Sequence, residues 1–188
     1  MSVAAPETAL ALSPDQLLSS LFADARLRVY GIVLGTRVTG LPERLAQADR
    51  LDHHCLVPGA LSPAQRLRAP YLVELRPDSP FTRWLLLQAA AAHGGWGVVA
   101  RSPERMLPVR SHARDLRHAV TPEGRPLRID WMDPAVLDIL LGGATPDQLL
   151  VIFNRLESLT VTAPQRWREY RLSGGRLQLR SVDVLVPG

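Results

Sequence analysis

A hydroxyl or carboxylate side chain followed by proline recurs at Ser13-Pro14, Ser62-Pro63, Ser79-Pro80, Ser102-Pro103, Asp133-Pro134 and Thr145-Pro146. Such steps start helices. The side-chain oxygen accepts from the unpaired N–H groups of the first turn, and proline at the first helical position removes a donor that has no partner there. Ser13-Pro-Asp-Gln16 and Thr145-Pro-Asp-Gln148 add glutamine at the third helical position, and both run on into Leu-Leu. The flanks of these two segments differ, so they are one capping solution used twice and not an internal repeat. Ser62-Pro-Ala-Gln65 and the remaining steps are shorter versions of it.

Apolar runs between these starts place the strands. The pattern predicts strands at 28–34, 69–75, 96–100 and 125–131, with an irregular segment from Asp52 to Gly59. Helices are expected at 14–24, 41–49, 80–92, 103–119, 134–141 and 146–156, the third ending at Gly94-Gly95 in a left-handed cap. Arg166 to Leu172 and Arg176 to Arg180 alternate in period two about Ser173-Gly-Gly175, a hairpin signal. Strands alternating with helices argue for an α/β fold with a mixed sheet and flanking helices. The expected organisation is a tail over 1–12, an α/β lobe over 13–125, and a smaller C-terminal lobe over 126–188 made of a helix pair and the hairpin.

All 22 basic residues are arginine, against 18 acidic ones, for a net charge of +4. Every cationic site is therefore a planar fork suited to carboxylates, phosphates and aromatic faces. The excess charge is modest and spread along the chain, which does not by itself argue for nucleic acid. Cys55 is the only cysteine, so no internal disulfide exists. The longest apolar stretch, Trp84 to Ala92, is broken by Gln88 and falls well short of the roughly 20 residues that span a bilayer. The chain reads as soluble and cytoplasmic, with no membrane partner.

An ordered set of chemically quiet signatures runs through the middle of the sequence. These are Tyr30-Gly-Ile-Val33, Leu56-Val-Pro-Gly59, Ala69-Pro-Tyr-Leu-Val73, Ser102, the His112-Ala-Arg114 step and Asp133-Pro-Ala-Val-Leu137. In order and spacing they resemble the type VI secretion adaptor family, also called effector chaperones, over roughly Tyr30 to Leu159. Two places depart from that pattern: Leu34 stands where the family's first strand often ends in Asp, and Asp130 and Ala135 stand where arginines usually flank the Asp-Pro step. The resemblance implies a cytoplasmic bacterial protein that binds a secreted effector and hands it to a VgrG-type spike. It implies no cofactor and no catalysis.

Candidate partner-binding residues follow from residue type. Arg110, Arg114 and Arg117 recur along one side of the 103–119 helix, beside an apolar stripe of Met106, Val109, Ala113, Leu116 and Val120. Trp131, Trp167 and Tyr170 supply aromatic anchors of the kind that dominate interfaces. Asp52-His53-His54-Cys55 is the one cluster that invites a metal, but neighbours on an extended chain point to opposite faces and no zinc spacing is present, so no metal site is expected. The sequence has no nucleophile elbow, and Gly94-Gly-Trp-Gly97 precedes a strand where a dinucleotide loop would follow one. Two alternatives stand beside the adaptor: an arginine-rich nucleic-acid-associated protein, and a small hydrolase using Asp130, Asp133 or His112.

Overall fold

The computed structural model of the chain describes residues 10–48, 51–121 and 123–185. In chain order the elements are β1 (Leu10–Leu12), α1 (Pro14–Leu21), β2 (Arg28–Leu34), α2 (Leu41–Gln47), β3 (His53–Cys55), α3 (Pro63–Arg68), β4 (Pro70–Leu75), α4 (Pro80–Leu87), α5 (Ala89–His93) and β5 (Gly97–Ser102). They continue with α6 (Met106–Asp115), β6 (His118–Val120), β7 (Pro126–Arg128), α7 (Pro134–Gly143), α8 (Pro146–Ile152), β8 (Ser158–Thr162), β9 (Arg166–Ser173) and β10 (Arg176–Val184). Eight strands form one sheet in the order β1-β10-β9-β8-β5-β2-β4-β3, and β6 and β7 pair separately. Only β1 runs parallel to its neighbour, so the sheet is mixed.

Helices cover both faces, giving two cores. Val29 and Val33 of β2 face a core built with α1, α2, α4 and α5. Tyr30, Ile32 and Leu34 face a second core built with α6, α7 and α8. A strand covered on both sides must be apolar at every position, which is why Val29 to Leu34 reads as one unbroken run. The capping boxes form as the sequence requires: Ser13, Ser62 and Thr145 each accept from the backbone N–H three residues on, and each glutamine reaches back to the cap.

Several expectations are corrected. Leu10–Leu12, read as part of a tail, pair with Val182–Val184, while residues 1–9 lie outside the described residues. The expected helix over 80–92 divides at Gln88, whose φ of −116° departs from helical geometry. Ser102-Pro103 does not start a helix. Ser102 ends β5 fully buried, its hydroxyl donating to Arg155 O at 2.5 Å and accepting from Glu104 N, so the helix begins at Met106. That helix stops at Asp115 because 118–120 pairs with 126–128, which leaves Val120 exposed and off the expected apolar stripe.

The boundary at 125–126 does not separate two sheets. β8, unread in the sequence, pairs with β5 on one side and β9 on the other, so the hairpin continues the central sheet. Its turn is the one expected: Ser173 opposes Arg176, and Gly174 and Gly175 take φ of 55° and 74°. Left-handed geometry at both central positions is what a tight two-residue hairpin demands, and glycine supplies it at least cost.

Candidate partner-binding site

The arginine row of α6 is largely built into the fold. Arg114 donates to Cys55 O at 2.8 Å, fastening α6 to the short edge strand β3. Burial lowers its guanidinium pKa, and the neighbouring Arg110 adds to the effect. Arg117, in the turn after α6, is 4% exposed and donates to Asp130 at 3.0 Å, joining that turn to the segment after β7. Arg110 is half-buried and lies 3.2 Å from His54 Nδ1. Donation from Arg110 assigns the remaining ring proton to Nε2, which faces Asp52 at 3.4 Å. The three guanidiniums therefore tie α6 to its neighbours and do not line up as a free cationic surface.

The aromatic candidates sit on different sides of the sheet. Trp131 is 1% exposed in the core under α6, its indole donating to Ala113 O at 3.2 Å. Tyr170 belongs to the same core and donates to Asp138 of α7, while Trp167, three residues earlier on β9, packs into the opposite core. All three are interior anchors in this chain. Burial, reinforced by the hydrogen bond to Asp138, pushes the Tyr170 phenol up to about 12. Burial also raises the pKa of Tyr30, whose hydroxyl donates to Glu104 O.

Those raised phenols set an alkaline limit. A tyrosine titrates near 10 when unfolded, so between pH 10 and 12 the folded protein holds a proton that the unfolded chain has released. The stabilisation is complete below pH 10 and is lost as pH rises through that window, about 2–3 kcal/mol for Tyr170. Urea midpoints measured from pH 9 to 12 are expected to fall steadily, and Tyr170→Phe is expected to flatten that fall.

The residues considered for hydrolysis hold structural contacts. His112 is buried with Nε2 2.9 Å from Ile152 O, linking α6 to α8. Asp133 caps α7 by accepting from Ala135 N and also pairs with Arg37 at 3.1 Å. Asp130 holds Arg117 and lies 3.7 Å from Arg128. His53 Nδ1 lies 3.2 Å from Leu51 O. Among the described residues no three His, Cys, Asp or Glu side chains converge as a metal would need. No helix among them is long and apolar enough to cross a membrane.

A polar arrangement the sequence did not reveal lies where β5, β8, β9 and β10 meet on the α1 side of the sheet. Arg101, 6% exposed, donates from Nε to Ser158 Oγ at 2.9 Å and pairs through Nη2 with Glu169. Arg171 reaches Glu169 as well, at 3.2 Å. Beside this ion pair a 160 Å³ cavity is lined by Ser20, Thr160, Trp167, Arg171 and Arg180 among others. Next to it a 470 Å³ cavity is formed by Glu169, Arg171, Gln178, Leu179 and Arg180. Arg101 lies just past the apolar run read over 96–100, and its partner is 68 residues away, so only the pairing of β8 with both neighbours brings the two together.

A family model described as Domain of unknown function (DUF4123) matches residues 29–150, about two thirds of the chain. The chain belongs to the DUF4123 family. No curated protein and no solved structure matches it. In this DUF4123 protein the matched stretch runs from β2 into α8 and so contains the centre of the sheet and most of the helices on both faces. Tyr30, Leu56, Tyr71 and Leu137 of the signature segments are all buried there. β8, β9, β10 and the Arg101 partners Ser158 and Glu169 fall outside it.

Proposed function

We propose that this DUF4123 protein is a non-catalytic adaptor that binds a type VI secretion effector in the bacterial cytoplasm and promotes its loading onto a VgrG-type spike. The observation that carries the reading is the ordered signature set from Tyr30 to Leu137, which falls inside the family match and resembles the effector-chaperone pattern. The role asks for a rigid scaffold with surface left over for a large partner, on the order of 1,600 Å² buried in total. The fold suits that role. His112, Asp130 and Asp133 hold elements together, and α7 and α8 turn Ile139, Leu150 and Val151 to solvent, 77%, 56% and 61% exposed. Handover to a spike requires binding that can be reversed, which favours a polar rim and moderate affinity.

Co-expression with the products of the adjacent reading frames tests this reading. A stoichiometric complex with an effector or a spike protein, stable through size-exclusion chromatography, is the expected result. Failure to associate with either would overturn it.

A further inference from the structure

β10 is nine residues long, but β1 covers only Val182–Val184 of its outer side. Among the described residues no strand pairs with Arg176 to Ser181 on the side away from β9. The direction of the backbone groups follows from the ladder. Val184 donates inward to Gln165 O, whereas Leu185 donates outward to Leu12 O. Successive residues of a strand alternate in this respect, so Leu177, Leu179 and Ser181 direct their N–H and C=O groups toward the open side. Among the described residues, six residues of this edge, about 20 Å at 3.3 Å per residue, face no partner strand.

The side chains along this edge differ between its two faces. Arg176, Gln178 and Arg180 alternate with Leu177, Leu179 and Ser181. Arg176 and Arg180 are exposed, and Arg180 faces Glu169 across the ladder. That carboxylate is held by Arg101 and Arg171, so it does little to neutralise Arg180. The 470 Å³ cavity opens on the same face. On the other face Leu177 packs beside Leu172, and Leu179, half exposed, opposes Tyr170. A second copy of β10 laid along this edge would set arginine against arginine, which like-charge repulsion disfavours.

We infer that the open edge of β10 accepts an extended polypeptide segment with alternating acidic and apolar side chains, added as a strand beside Arg176–Ser181. Main-chain hydrogen bonds to Leu177, Leu179 and Ser181 hold the segment, its carboxylates meet Arg176 and Arg180, and its apolar side chains cover Leu177 and Leu179. That the segment comes from a secreted effector rests on the adaptor reading; the chemistry of the edge does not.

Amide hydrogen exchange by NMR on the full chain tests the site, with an eight-residue Glu-Val repeat peptide as probe. Saturating peptide is expected to slow exchange at Leu177, Leu179 and Ser181 at least tenfold, with little change at Gln178 and Arg180, whose amides already bond to β9. A Lys-Val repeat should give no protection, and Arg176→Glu with Arg180→Glu should reverse the preference. No protection, or protection elsewhere, overturns the inference. So does displacement of the peptide by a single-stranded oligonucleotide, or protection already present in the free protein that vanishes on removing residues 1–9 or on dilution. If the wild type captures an effector and the charge-reversed variant captures it equally well, the edge assignment falls while the adaptor reading stands. If the peptide protects Leu177, Leu179 and Ser181 but no effector or spike is ever captured, the reverse holds.

Discussion

Gly97→Ala is expected to leave little folded protein. Gly97 opens β5 at a φ of 150°, outside the range L-residues adopt, and a methyl group there would lie 1.9 Å from Ile32 O. That oxygen belongs to β2, whose neighbours β5 and β4 are both bonded to it and whose two faces hold both cores. Neither backbone can retreat without opening the ladder between Gly97–Val33 and Val98–Ile32. The expected cost exceeds about 4 kcal/mol, a large part of the 5–15 kcal/mol by which domains are stable. Gly142→Ala serves as the control, since it sits in α7 with open space around it and is expected to be neutral or slightly stabilising. Thermal unfolding followed by circular dichroism distinguishes the two. A Gly97→Ala protein melting within a few degrees of wild type would show that the close approach does not exist.

Glu169→Leu is expected to cost about 3–5 kcal/mol, because it strands the Arg101 guanidinium in the sheet without its carboxylate. Ser158 Oγ would remain as a partner, but a hydroxyl cannot balance a buried charge. The penalty belongs to the orphaned cation more than to the lost attraction. The double variant Arg101→Met, Glu169→Leu should therefore recover most of the stability. Arg171→Ala, which removes a partly exposed cation from the same group, should cost less than about 1 kcal/mol. Urea unfolding of the four proteins forms the check. A double variant no more stable than Glu169→Leu alone would show that the two side chains do not act as a pair.

Much of the scaffold was legible because its signals are local. β2 was read at its observed limits, since an unbroken apolar run bounded by Arg28 and Gly35 has few other uses. Three capping boxes and the Gly174-Gly175 turn formed as read, because their hydrogen bonds close within four residues. Ser102-Pro103 carried the same local signal and failed. Its hydroxyl found Arg155 O 53 residues away, and that contact outcompetes a helix cap. β1 and β3, each three residues long, carry too little pattern to be separated from loop. β8 was recoverable from its β-branched Ser-Leu-Thr-Val-Thr run, which fits a strand buried on both faces.

The candidate site divides the same way. Residue type marked Arg110, Arg114, Arg117, Trp131, Trp167 and Tyr170 as candidates for binding a partner, and in the fold each of them makes contacts within the chain. It could not show where those contacts fall, because the partners Cys55, Asp130, Ala113 and Asp138 are brought up by other elements. Helix starts, the tight hairpin, the apolar core strands and membership of the family were already set by the order of residues, each being a matter of near neighbours or of matching pattern. Whether the hairpin stood apart or joined the sheet, and whether Arg101 met Glu169, were decided only when β8 paired with β5 and β9, for hydrogen bonds between distant segments have no periodicity to announce them.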